Sequence, residues 1–248
     1  MICAAAPGCV ADAAADPTGG VQVSCLYGGS VASGDLALSP VEANALAELS
    51  ISADSGTVSF GASCTGLLIA DDWLLTAAHC TNNPAATRVA ARFGPPASCG
   101  SSQAQRPEIS STQVVVHPML DLMLVHLSER PARRGVEVAP VRVAPAGELN
   151  PGEIVHLAGF GRTEDDLPGQ LRFAAEPVSA IGADWIEVDG HGQSGACAAD
   201  SGGPLLWRNP TGAVTTLGVL SQGSADCVGK DRYVRADSAA TWLAGFVP

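Results

Sequence analysis

Lysine is almost missing. Lys230 is the only one in 248 residues, arginine supplies the remaining positive charge, and 25 acids leave a formal net charge of −12. This excludes a surface built for nucleic acid or for an anionic membrane, since both need clustered cations. Its plainest consequence is solubility. Charge of either sign is scarce at 15% of residues, while hydrophobic residues reach 46%. A chain of that composition is not disordered and has ample material for a core. No Cys-x-x-Cys pair occurs, and no cysteine cluster has zinc-ligand spacing, so a metal site is set aside. No apolar run is long enough to cross a bilayer. The chain opens Met-Ile-Cys-Ala-Ala-Ala-Pro with no charged segment leading into an apolar one. A secretory leader is therefore either absent or already removed, and removal fits the cysteines better.

Eight cysteines are present: Cys3, Cys9, Cys25, Cys64, Cys80, Cys99, Cys197 and Cys227. An even count in a compact chain points to an oxidising compartment, hence to a secreted, periplasmic or cell-surface protein. Abundant Ala and Gly with scarce Lys is the composition of a GC-rich bacterial source.

Residues 1–50 read as an extension. The first 38 are rich in Ala, Gly, Asp and Pro, hold three cysteines, and contain one strand-like run, Val21 to Tyr27. Ser39-Pro40-Val41-Glu42 has the form of a capping box with proline at the first helical position, which predicts a helix over Val41 to Leu49. Residues 51–248 read as the main domain. Short apolar runs alternate there with Gly, Pro, Asp and Asn turns, beginning with Val58 to Phe60, and many short strands at regular spacing predict an all-β sandwich or barrel. Four prolines between residues 128 and 151 mark a bridge between halves at about 51–130 and 150–235. Residues 236–246 predict a closing helix, with Trp242 and Phe246 one turn apart. Thr163 to Gly169 reads as a solvated loop; its consecutive acids lack calcium-ligand spacing.

Chemistry concentrates at Cys197-Ala198-Ala199-Asp200-Ser201-Gly202-Gly203-Pro204. A serine hydroxyl is a weak nucleophile until a base takes its proton and a third group orients that base. The chain offers a histidine in Thr76-Ala77-Ala78-His79-Cys80 and a carboxylate at the head of an apolar run, Asp121-Leu122-Met123-Leu124-Val125. Taken alone, His79 could be a core histidine and Asp121 a solvated strand-end acid. Together, in the order His, Asp, Ser, the three stretches resemble the chymotrypsin/trypsin-like serine peptidases.

The resemblance covers residues 55 to 246 and implies two antiparallel six-stranded β-barrels with the site in the cleft between them. It implies His79 as general base, Asp121 as its orienting acid and Ser201 as nucleophile, acting on a protein or peptide substrate. It implies oxyanion-hole N–H groups on Ala199 and Ser201, and disulfides Cys64–Cys80 and Cys197–Cys227. It places Gly195 at the specificity-pocket floor, Asp231 on the opposite wall, and Ser221, Gln222 and Gly223 along the strand that pairs with substrate.

Two positions depart from the family pattern. Ala199 stands where glycine is usual; it keeps the N–H, but either a positive φ costs about 1–2 kcal/mol or the peptide flips and the donor is lost. No Ile-Val-Gly-Gly-like start precedes Cys64, so Asp200 either finds another cation, an arginine for example, or activation works differently, or the protein is held inactive. Asp231 could draw Arg or Lys from the substrate, or pair with Lys230 or Arg232. The reading is a serine endopeptidase cleaving after Arg or Lys; the alternative is a binding or regulatory protein on a peptidase scaffold, silent until a partner orders its oxyanion hole.

Overall fold

The expected helix over Val41–Leu49 is a single turn. In a computed structural model describing residues 36, 38–53, 62–81, 87–93, 106–162, 169 and 171–248, α1 spans Pro40–Ala43, and the chain passes directly into strand β1, Leu46–Ala53. The capping box forms: the Ser39 N–H and hydroxyl both donate to Glu42 Oε2, at 2.8 and 2.7 Å. Helix propagation stops because Leu46 to Ile51 find partners on one flank and Glu48 to Ala53 on the other. Leu49 pairs with Cys64 on one flank and with Ala91 on the other. Two ladders outcompete the local periodicity, and the first barrel begins inside what the sequence marks as extension.

Six strands close that barrel: β1, β2 (Ala62–Ala70), β3 (Trp73–Thr76), β4 (Thr87–Arg92), β5 (Glu108–Val116) and β6 (Met123–Leu127), in the order β1-β2-β3-β6-β5-β4. A bridge follows, in which β7 (Arg142–Val143) lies parallel to a strand of the second half. The second barrel is β8 (Ile154–Gly159), β9 (Arg172–Ile181), β10 (Trp185–Asp189), β11 (Pro204–Arg208), β12 (Val214–Gln222) and β13 (Lys230–Arg235), ordered β11-β8-β9-β10-β13-β12 and closed by β11–β12 pairing. The fold is thus two six-stranded antiparallel barrels. The closing helix is short: a 3₁₀ turn at Asp237–Ala239 runs into α2, Ala240–Leu243.

Closure removes strand edges, and alternating side chains fill each barrel. Val155, Leu157, Ala174, Ile186, Val188 and Leu217 pack inside the second barrel. A larger cluster fills the first and continues across the seam to Phe160, Phe173 and Val219. That continuity fixes one barrel against the other, as a site assembled across the seam requires. Among the described residues no helix is long and apolar enough to cross a membrane. The expected strands at Val21–Tyr27 and Val58–Phe60, the loop at 163–168 and the pairing of Cys3, Cys9, Cys25 and Cys99 lie outside the described residues.

Candidate active site

Strand β3 is buried along its whole length and delivers the chain into a 3₁₀ turn, Ala78–Cys80, that carries His79. A disulfide joins Cys80 to Cys64 on β2. By loop closure it contributes about 3 kcal/mol, and it anchors the turn to the barrel wall. Asp121 lies two residues before β6, which pairs with β3 so that Met123 opposes Thr76. The two ladders end together, and the side chains beyond their ends meet.

Asp121 holds His79 at two points. Oδ2 lies 2.7 Å from His79 Nδ1, and Oδ1 accepts the His79 backbone N–H at 2.8 Å. The Ser221 hydroxyl donates to the same Oδ2 at 2.6 Å. Burial alone would raise the Asp121 pKa, but the hydrogen bonds from His79 and Ser221 outweigh it and hold the carboxyl below its ordinary value. The bond to Asp121 in turn lifts the His79 imidazole above its ordinary value, against the opposing effect of burial. With Nδ1 committed to Asp121, Nε2 is the nitrogen left to exchange a proton. The His79 side chain is 41% exposed, so this edge is within reach of solvent.

Ser201 approaches from the second barrel. Its carbonyl accepts the Thr65 N–H at 2.8 Å and lies 3.9 Å from the Cys80 sulfur, next to His79. The next residue, Gly202, has φ 82° and donates its N–H to Leu220. Ser201 and His79 are thus set beside one seam by their immediate neighbours.

The loop ahead of Ser201 is pinned at each peptide. Ala199 has φ 75°, so the first of the two open conformations is the one adopted. The Ala198 carbonyl accepts the Arg162 N–H at 2.9 Å, and the Asp200 N–H donates to the Cys197 carbonyl at 3.0 Å. A planar trans peptide points its N–H opposite its C=O. Anchoring the Ala198 carbonyl on Arg162 therefore aims the Ala199 N–H away from that loop. Among the described residues neither the Ala199 nor the Ser201 N–H has an acceptor.

Asp200 is buried and meets no cation among the described residues. Its oxygens accept the Gly161 N–H at 2.8 Å and the Cys197 N–H at 2.9 Å. Burial raises its pKa to about 7 despite those bonds. The arginine suggested as its partner is replaced by backbone donors, and Gly161 is there because a Cβ would run into the Asp200 carboxylate.

The pocket residues divide. Ser221 belongs to the His79–Asp121 network, while Gln222 and Gly223 are exposed beyond it. Gly195 is buried, with the Cys227 backbone filling the space a side chain would need, beside the Cys197–Cys227 disulfide. Asp231 has no exposed surface; it accepts N–H groups from Ala196 at 2.6 Å and Ser224 at 3.2 Å, and burial raises its pKa to about 6. It pairs with neither suggested cation. Lys230 and Arg232 both turn to Glu187, at 2.8 and 3.3 Å. Glu187 stands opposite Arg232 in the β10–β13 register, which nothing in the local sequence announces. Sequence reasoning also passed over Thr65, whose neighbour Cys64 it did single out. No group of three or more acidic, histidine or cysteine side chains among the described residues could hold a metal ion.

A family profile described as Trypsin matches residues 42–243. Human chymotrypsin-like elastase family member 3B is 32% identical over 199 residues, covering 67% of this chain and 70% of that protein. Bovine proproteinase E is 32% identical over 191 residues, 67% of this chain and 74% of its own length. Human cathepsin G is 29% identical over 206 residues, 73% of this chain and 74% of its own. The solved structure of GrC superposes with a TM-score of 0.68 at 22% identity, covering 84% of this chain and 96% of that one; at that identity the likeness concerns the fold.

Proposed function

The chain belongs to the trypsin family and is a serine endopeptidase, and from that premise we propose that His79, Asp121 and Ser201 carry its reaction. The observation that supports this most is the double grip of Asp121 on His79, which fixes the imidazole tautomer at the seam where Ser201 arrives. Ser201 Oγ attacks the substrate carbonyl carbon while His79 Nε2 takes its proton. The developing oxyanion is received by the N–H groups of Ala199 and Ser201, aimed where negative charge forms. His79 then gives its proton to the leaving amine, and the C–N bond breaks to leave an ester on Ser201. Water, deprotonated by His79, hydrolyses that ester and restores the enzyme. No cofactor enters these steps.

The positive φ at Ala199 argues for the enzyme over the alternative of a scaffold that waits for a partner, because the strained conformation is already in place. For specificity we propose cleavage after Arg or Lys with relaxed selectivity. Asp231 is the carboxylate expected on the pocket wall; it is fully buried and accepts the Ala196 and Ser224 N–H groups, so it attracts a cation without contacting it. The disulfides Cys64–Cys80 and Cys197–Cys227 support a location outside the reducing cytoplasm, and we propose that the protein is secreted, periplasmic or on a cell surface. A fluorophosphonate probe tests the central reading: it should label Ser201 in the wild type and fail to label S201A or H79A. An unlabelled wild-type protein would reject the peptidase mechanism.

A further inference from the structure

Thr65 lies within β2 of the first barrel with no exposed surface, yet its polar atoms engage the second barrel or the strand leading to His79. Its hydroxyl accepts the Phe160 N–H at 3.0 Å. An N–H can only donate, so that bond occupies a lone pair and leaves the hydroxyl proton free. The proton is directed at the Ala199 carbonyl, 3.3 Å away. The Thr65 N–H meanwhile holds the Ser201 carbonyl at 2.8 Å, and the Thr65 carbonyl accepts the Thr76 hydroxyl at 2.7 Å.

Ala199 needs such support. A non-glycine residue in the left-handed region is strained, and strain persists only where the surroundings over-determine it. The peptide on its N-terminal side is fixed by Arg162. The peptide on its C-terminal side is fixed at its N–H by Cys197 and at its C=O by Thr65. Thr65 supplies the only one of these three anchors that is a side chain and that comes from the other barrel.

We infer that Thr65 is a positioning residue: its hydroxyl, donating to the Ala199 carbonyl across the seam, fixes the peptide that joins the two oxyanion-hole donors and so holds Ala199 in its strained, productive conformation. This rests on the proposed roles of Ala199 and Ser201. It makes alanine at position 199 workable by building the constraint that glycine would not require.

Two apolar replacements, T65V and T65A, and the hydroxyl-keeping T65S test it against a peptide amide substrate. T65V and T65A should lower kcat by about 10–100-fold with KM within twofold, short of the 10²–10³ typical of losing an oxyanion donor outright. T65S should stay within about threefold of wild type, and affinity for a peptide boronate should fall with kcat. Adding A199G to either apolar variant should recover most of the loss, because glycine holds positive φ without help. Unchanged kcat in T65V and T65A, an equal loss in T65S, or a loss that A199G does not rescue would each overturn the inference. Crystal structures of the wild type and T65V separate this from failure of the peptidase mechanism. Residue 199 leaving the left-handed region in T65V supports the inference even if the wild type takes no fluorophosphonate label, and residue 199 remaining there overturns it.

Discussion

Gly202 and Thr76 stand so close that a Cβ on the glycine would overlap the threonine hydroxyl; it would also lie 2.5 Å from the Thr65 carbonyl oxygen and 3.0 Å from the Ala77 nitrogen. The glycine after Ser201 is therefore the point at which the second barrel is let in against the strand that carries His79. Gly202→Ala must both accept a positive φ, at about 1–2 kcal/mol, and push that strand back. Activity should fall by at least about 100-fold, since small displacements of reacting groups cost that much. For a chain of this size the strain alone lowers Tm by about 2–8 °C. Peptidase assays and a thermal melt on the same preparation check both.

Asp121→Asn should remove most turnover while leaving the fold intact. The amide cannot accept from His79 Nδ1, its backbone N–H and Ser221 at once, so the imidazole loses its fixed tautomer, an effect of about 10⁴-fold in kcat. Because the hydrogen bond to Asp121 is what raises the His79 pKa, the acid limb of the kcat/KM profile should move to lower pH in this variant. Ser221→Ala removes one donor to a charged acceptor, worth about 1.5–3 kcal/mol, and should cost roughly 10–100-fold in kcat. Steady-state kinetics across pH 5 to about 9 separate the two.

The motifs around His79, Asp121 and Ser201 were legible because each couples a chemically costly residue to its own structural excuse: a disulfide cysteine beside the histidine, a buried strand after the acid, two glycines after the serine. Regular strand spacing made an all-β sandwich or barrel legible, and the choice of two barrels came from the resemblance carried by the three motifs. Residues 46–49 were not, because Val41, Ala45, Leu46 and Leu49 fit a helix face, and only pairing with β2 and β4 overrules it. The partners of Asp200 were hidden for a related reason. Gly161 and Cys197 contribute backbone N–H groups, which every sequence position possesses, and the fold alone decides which of them point inward. Thr65 is an unremarkable residue whose importance comes from lying opposite Ala199, distant in the chain.

Three buried acids cluster in the second barrel around the Tyr233 phenol. Burial, with the Asp231 charge adding to it at the other two, raises Glu176 to about 8 and Asp200 to about 7, and burial raises Asp231 itself to about 6. Among the described residues none forms an ion pair. Each binds its proton more tightly folded than unfolded, so the stability they contribute is complete below about pH 4 and is lost as pH rises through about 6 to 8. The hydrogen-bonded Asp121 acts oppositely, losing its contribution only as pH falls below the ordinary carboxylate range. The urea midpoint should therefore be higher at about pH 5 than at about pH 8. An equal or higher midpoint at pH 8 would mean that a cation reaches these acids.

Asp231 gives the proposed selectivity a pH signature of its own. Below about 6 it is protonated and offers a substrate cation nothing; above about 6 it carries charge. His79 must also be neutral for turnover, so raw rates mix the two titrations. The ratio of kcat/KM for a substrate with Arg before the cut to one with citrulline there cancels the His79 contribution, since both need the same base. It should rise with pH through about 6 and then level. The plateau should be modest, about 10-fold, because the Ala196 and Ser224 N–H groups already satisfy the carboxylate, and a buried charge that does not touch the cation acts through an effective dielectric well above that of a dry interior. A flat ratio would mean that the pocket does not sense Asp231, and a preference for uncharged residues at every pH would reject the Arg/Lys reading while leaving the His79–Asp121–Ser201 chemistry intact.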